Sequence, residues 1–223
     1  MAVTVNKEFY GLDCIIRHDY EDEDIQNKLK TYQEKSYSSF MHFLTNVPKF
    51  KYNTFLDLGC GDDYVLSLAE DKFSEAYGID LYPGIEYSKE NLIQHDWYKL
   101  HEWAKEEGLD ICGIDAIFIN HSLEHAANVY ALMQQVAYCQ QPGQALFVAV
   151  PDGNSPFGYA ITSSTTHFSC ITEGYLRTTL QRFGYNVEVE RKEFREGAPE
   201  LWAYGIKMTH GHRISGLEDI RNV

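Results

Sequence analysis

The chain alternates short apolar runs with stretches in which apolar residues recur every three or four positions. Phe55 to Leu58, Glu75 to Ile79, Asn91 to His95, Asp115 to Ile119 and Ala145 to Val150 have strand length. Between them Val65, Leu68 and Ala69 share one helical face, Trp97 to Lys105 reads as a further helix, and Val129, Leu132, Met133 and Val136 line another. Farther on, Thr172 stands as an N-cap before Leu176, Thr179, Leu180 and Phe183, with Gly184 as the stop. Two more strands are expected near Asn186 to Glu190 and Leu201 to Met208. Strands and helices in alternation predict an α/β fold, a mostly parallel sheet covered on both faces.

Helices also precede this core. The acidic run Glu21-Asp22-Glu23-Asp24 leads into Ile25, Leu29 and Tyr32 on one face, acids at the end where a helix dipole favours them. Tyr37, Phe40, Met41 and Leu44 predict a second helix that stops near Asn46, ahead of Pro48. The expected organisation is a helical appendage and partial lid over residues 1–50, a core over 51–208 and a tail over 209–223. At 223 residues the chain is long enough for one sizeable core.

The turn after the first strand carries the chemistry. In Asp57-Leu58-Gly59-Cys60-Gly61 the glycines let backbone approach a ligand with no Cβ in the way. Asp80 follows Gly61 by about 20 positions, where an acid usually holds a pair of ribose hydroxyls. A G-x-G-x-x-G count from Gly59 fails at Tyr64, and Asp62-Asp63 would repel a diphosphate. An NAD-dependent oxidoreductase therefore fits less well. A glycine turn without any ligand is the plainer alternative.

Net charge of −14 disfavours nucleic acid and anionic membranes as partners. Arg177, Arg182, Arg191, Lys192 and Arg195 read as solvated surface rather than a basic patch. Cys14, Cys60, Cys112, Cys139 and Cys170 are scattered with no C-x-x-C pair, which suits a reducing cytosol. There is no apolar signal core and no run of membrane-spanning length, so a soluble cytoplasmic protein is expected. His121-Ser122-Leu123-Glu124-His125 matches H-x-x-E-H of zinc hydrolases, but it directly follows a strand instead of lying in a helix. No metal site is expected.

The segment Phe55 to Gly61 resembles motif I of class I S-adenosylmethionine-dependent methyltransferases, and Asp80 resembles their ribose-binding acid. Leu123-Glu124-His125 through Gln141-Pro142-Gly143-Gln144-Ala145-Leu146 is similar to the LEH … PGG-x-L signature of their small-molecule, type 11/23-like branch, with Gln144 in place of the second glycine. A third motif I glycine is replaced by Asp63. The resemblance covers about Tyr52 to Gly184. It implies a Rossmann-like seven-stranded sandwich whose last strand is antiparallel, behind the N-terminal helical appendage. It also implies S-adenosylmethionine held by Asp57, Gly59, Cys60, Gly61, Asp80, Leu81 and Asn120, with Asp96 and Trp97 at the adenine. Asp96 reads equally as a helix cap. The implied reaction is methyl transfer to an oxygen or nitrogen of a small molecule; an inactive relative that binds a nucleotide or a protein partner is the alternative. Tyr10, Tyr37, Phe157 and Tyr159 are candidates for an acceptor pocket, and His167 and His121 for catalysis, with His167 the preferred general base.

Overall fold

A computed structural model describes residues 23–81, 90–109, 113–156, 167–195 and 198–208. The first helix, α1, spans Glu23–Thr45 without a break. Two helices were expected here, and the reason for one is local: Gln33-Glu34-Lys35-Ser36 supplies neither glycine nor proline to interrupt the ladder. Tyr32, Tyr37, Phe40 and Leu44 fall on one face and are buried.

The core then alternates as its pattern foretold. Strands β1 (Thr54–Leu58), β2 (Glu75–Asp80), β3 (Leu92–Gln94), β4 (Ala116–Asn120) and β5 (Ala145–Pro151) are separated by helices α2 (Tyr64–Glu70), α3 (Leu100–Glu106) and α4 (Val129–Tyr138). The expected helix from Trp97 opens as a 3-10 turn over Trp97–Lys99 before α3 begins. Helix α5 (Glu173–Arg182) is capped by the Thr172 hydroxyl, which accepts the Tyr175 N–H at 3.3 Å. Strands β6 (Tyr185–Arg195) and β7 (Ala198–Lys207) finish the chain's sheet. Both run longer than their apolar patterns, because each is the other's antiparallel partner from Tyr185↔Lys207 to Arg195↔Ala198.

The seven strands lie in the order β3-β2-β1-β4-β5-β7-β6. All neighbouring pairs among β1 to β5 are parallel, while β7 runs antiparallel to β5 and β6. The order reverses between β1 and β4, and such a switch opens a crevice at the carboxyl ends of the strands. Period-two alternation divides the core in two. Leu56, Leu58, Ile117, Ile119, Leu146 and Val148 face α3, α4 and α5, whereas Phe55, Phe118 and Phe147 face α1 and α2. On the aromatic side Phe118 and Phe147 stack at 4.9 Å and Phe40 of α1 closes over Phe147 at 5.6 Å.

Gln144, which stands in for a glycine, has a structural task. Its carbonyl oxygen accepts the Gln141 N–H at 2.5 Å and its amide donates to Asp115 at 3.3 Å, while Asp115 accepts the backbone N–H groups of Asn53 and Thr54. The turn before β5 is thereby tied to the start of β1. No helix among the described residues is long and apolar enough to cross a membrane. Tyr10, Phe157, Tyr159, residues 163–166 and the tail from 209 lie outside the described residues.

Phe40 is wholly buried between three other rings. Phe40→Ala is expected to lower unfolding free energy by about 3–5 kcal/mol, measured by urea denaturation. A loss under about 1 kcal/mol would mean that α1 is not part of the core.

Candidate functional site

The carboxyl end of β1 leaves the sheet through two residues in left-handed conformation, Gly59 (φ 82) and Gly61 (φ 63). The N–H groups of Gly59 and Cys60 both donate to the Ile79 carbonyl, at 2.7 and 3.2 Å, which holds the turn against the end of β2. The Gly61 N–H donates to Asp80 Oδ2 at 2.9 Å. On the other side the Ser122 hydroxyl donates to the Leu58 carbonyl at 2.7 Å. A Cβ on Gly59 would lie 2.3 Å from Ser122 Cβ and 3.6 Å from the Trp97 ring, so glycine is required by space as well as by φ.

Gly59, Cys60, Gly61, Asp80 and Trp97 lie together at this turn, Asp57 precedes it in β1, and Leu81 leads on from β2. Asp57 is buried; burial, then the charges of Asp62 and Asp80, push its carboxyl well above the usual range. Burial likewise pushes up the Cys60 thiol, which makes it an inert core group. Asp62 is raised chiefly by burial, against the Tyr64 N–H and Gln33 amide that bond its carboxylate. Asp96 acts as a cap: its Oδ1 accepts the Tyr98 N–H at 2.9 Å. Tyr37, a candidate for the acceptor pocket, is instead core, its hydroxyl donating to the Leu68 carbonyl at 3.2 Å.

A second constellation follows β4. His121 sits at φ 53, an uncommon conformation for a side chain, with its N–H bonded to the Ala149 carbonyl. Its ring lies between two acids, Nδ1 3.2 Å from Glu124 and Nε2 3.1 Å from Glu200. The Tyr32 hydroxyl is shared between Glu200 (2.9 Å) and Asn120 (3.1 Å), and the Trp202 N–H donates to Glu200 at 3.0 Å. Burial alone would lower the His121 imidazolium, but Glu124 and Glu200 outweigh it and raise it to about 10. Both glutamates, which burial would raise, are held below the usual carboxylate range, chiefly by His121.

His167 comes from the loop before α5. The N–H groups of Phe168 and Ser169 donate to the Glu124 carbonyl at 3.0 and 3.2 Å, which brings the His167 ring edge-on to His125 with centroids 4.6 Å apart. Burial lowers His167 to about 4, Glu124 opposing and the neighbouring histidines adding to the shift. Tyr32 and Glu200 were not singled out from sequence. The sole signal was one acid inside the apolar run Pro199 to Tyr204.

The strand order, the reversal between β1 and β4 and the glycine turn tied to Asp80 are those of a Rossmann-like domain. The chain belongs to the methyltransferase-domain family, whose model matches residues 29–190. Among curated proteins none matches the sequence. Solved structures share the fold. A SAM-dependent methyltransferase from Archaeoglobus fulgidus is 16% identical over 83% of this chain and 100% of its own, with TM-score 0.61. The plantazolicin methyltransferase BamL, solved with a triazolic desmethylPZN analog and SAH, is 14% identical over 86% and 94%, with TM-score 0.59. A Haemonchus contortus phosphoethanolamine N-methyltransferase, solved with phosphomonomethylethanolamine and S-adenosylhomocysteine, is 11% identical over 77% and 53%, with TM-score 0.59.

The ion-pair cluster yields a test. His121 contributes in full below its ordinary value of 6.5 and loses that contribution as pH rises through about 10. The two glutamates contribute above their ordinary 4.5 and lose theirs as pH falls. His121→Ala is expected to cost about 2–3 kcal/mol at neutral pH, less than a fully buried pair because 32% of the side chain meets water. The deficit should narrow toward pH 5, where the orphaned carboxylates take up protons. A deficit that grows on acidification would refute the arrangement.

Proposed function

We propose that this protein transfers the methyl group of S-adenosylmethionine to an oxygen or nitrogen of a small molecule. The single observation that carries the reading is the Gly61 N–H on Asp80 Oδ2 at 2.9 Å, which holds a carboxylate against the glycine turn. The residues present fit this donor. Gly59 and Gly61, both in left-handed conformation, turn the backbone at the end of β1, and the Trp97 ring lies 3.6 Å from where a Gly59 Cβ would stand. Asp62 and Asp80 bring negative charge close enough to push Asp57 upward, which favours a cationic ligand over a diphosphate such as NAD.

When bound, S-adenosylmethionine supplies an electrophilic methyl group on a sulfonium. The protein's part is to align, desolvate and hold charge. In this reading Asp80 holds the ribose hydroxyls, Asp57, Gly59, Cys60 and Gly61 shape the methionine and ribose side, and Leu81, Asp96 and Trp97 border the adenine. Asn120 and His121 form the floor toward the acceptor. Neither histidine put forward for catalysis has a base's proton affinity near neutral pH: His121 keeps its proton between two acids, and the site of His167 resists the charge. No general base is therefore assigned. The buried, unbridged thiols of Cys60 and Cys139 suit a reducing compartment, and the reaction is assigned to the cytoplasm.

Isothermal titration should detect S-adenosylmethionine binding, weakened by about 1.5–3 kcal/mol in Asp80→Ala, the scale of lost hydrogen bonds to a charged group. Binding of NAD without S-adenosylmethionine would replace the reading with an oxidoreductase, and binding of neither would leave an inactive, partner-binding relative. With a methyl-labelled donor and a cell extract, label is expected in the small-molecule fraction. Label confined to protein or nucleic acid would remove the small-molecule assignment.

A further inference from the structure

We propose that Glu124, His125 and His167 form a site for a divalent first-row transition metal ion at the carboxyl edge of β4. One donor atom from each residue lies within 4.8 Å of the others. Two imidazoles and one carboxylate are a donor set that suits zinc, manganese, iron or cobalt; magnesium and calcium favour oxygen ligands throughout. Around such an ion donors sit about 3.4 Å apart in tetrahedral geometry, so small side-chain rotations close the cluster. The two chain segments are already fastened, because the amides of Phe168 and Ser169 hold the Glu124 carbonyl.

An independent observation points to a cation. Glu124 is 2% exposed, yet neither of its carboxylate oxygens has a hydrogen-bond partner with proper direction. The His121 ring offers charge at 3.2 Å to one of them but not the in-line geometry of a bond. A buried carboxylate left so incompletely satisfied is costly unless a cation completes it. The rival explanation is that His121 alone balances Glu124 and that His125 and His167 are bystanders.

The arrangement is not the H-x-x-E-H of a zinc hydrolase. His121, the first histidine of that motif, turns toward Glu200, and His167 from a distant loop takes the third ligand position. His121 then stands behind the carboxylate as an outer-shell partner, itself anchored by Glu200. The pattern in the sequence contained Glu124 and His125 but gave no sign of His167 beside them.

Three protein donors leave coordination positions open. The site follows Asn120 and His121 at the carboxyl end of β4, which β1 separates from β2 and Asp80. Resting on the methyl-transfer reading, the open positions would take a hydroxyl oxygen of the acceptor and lower its pKa. The oxygen–methyl bond forms as the carbon–sulfur bond breaks, sulfur keeps the electron pair, and the hydroxyl proton leaves to solvent. Metal affinity itself does not depend on that reading.

The test uses the full chain, stripped with a chelator and titrated with zinc(II) and cobalt(II). One equivalent is expected to bind, with visible cobalt d–d absorption of a low-coordinate nitrogen–oxygen site. Glu124→Gln and His167→Gln should each weaken binding by more than about 100-fold, and His121→Gln by about 10–100-fold. His42→Ala, an exposed histidine on α1, should leave it unchanged. His167→Gln keeps the test decisive if Glu124→Gln fails to fold, as judged by circular dichroism. No stoichiometric binding, or binding that His167→Gln leaves intact, overturns the site. Metal binding with methyl transfer indifferent to chelator overturns the acceptor role alone, and metal binding without S-adenosylmethionine binding overturns the proposed function instead.

Discussion

Gly59 has room for a hydrogen and nothing larger. Its backbone passes so close to Ser122 that the ends of β1 and β4 are pressed together, and the Ser122 hydroxyl bonds the Leu58 carbonyl across the gap. The same turn reaches the other way, through Gly59, Cys60 and Gly61, to Ile79 and Asp80 at the end of β2. Three strand ends are thus tied at one point. Strand order reverses there, and the helices that follow β1 and β4 leave to opposite faces, α2 into the aromatic core and α4 into the aliphatic one. The crevice is a consequence of that divergence, and any side chain at 59 would wedge the two ends apart.

The two faces of the sheet solve packing differently. Against α3, α4 and α5 the strands present branched aliphatic residues, which interlock with the Leu, Met and Val stripe of α4. Against α1 they present large rings separated by Ala116, Ala145 and Ala149. The small residues make room for the stack of Phe118, Phe147 and Phe40. Helix α1 is consequently bound to the sheet by aromatic surface, and Tyr32, one turn and a half before Tyr37, is carried to the edge of β4 and β7. The position of Tyr32 follows from this core packing.

What was legible in the sequence is what lies close in sequence. Gly59, Gly61 and Asp80 are separated by one strand and one helix, a spacing that repeats wherever this turn is built, so their meeting could be read from the pattern. The same holds for the strands, whose apolar runs are short and whose breaks carry glycine or proline. The single α1 was misread because amphipathic stripes show a face but not a boundary; nothing between Tyr32 and Tyr37 demanded a stop. Glu200, Tyr32 and His167 reach the end of β4 from three remote segments, and no periodicity encodes such encounters. Gln144 looked like a defect in a glycine pair. In the fold it replaces turn freedom with two side-chain bonds, one to Gln141 and one to Asp115.

Charge gives the site its direction. On the β1–β2 side burial and the charges of Asp62 and Asp80 push up the Asp57 carboxyl, and burial pushes up Asp62, so the turn is a place of closely spaced acids. On the β4 side the acids are already answered, Glu200 by His121, Tyr32 and Trp202, and Glu124 in part by His121. On the methyl-transfer reading the sulfonium is therefore drawn to the first side. On the proposed reaction that charge does not persist: the sulfonium becomes a neutral thioether when its methyl group leaves. The three aspartates then lose the counter-charge that favoured the donor, by an interaction of about 1–4 kcal/mol for charges near 4 Å at the dielectric of water or a protein surface. On that proposal the carboxylates beside the glycine turn hold the spent product less strongly than the donor.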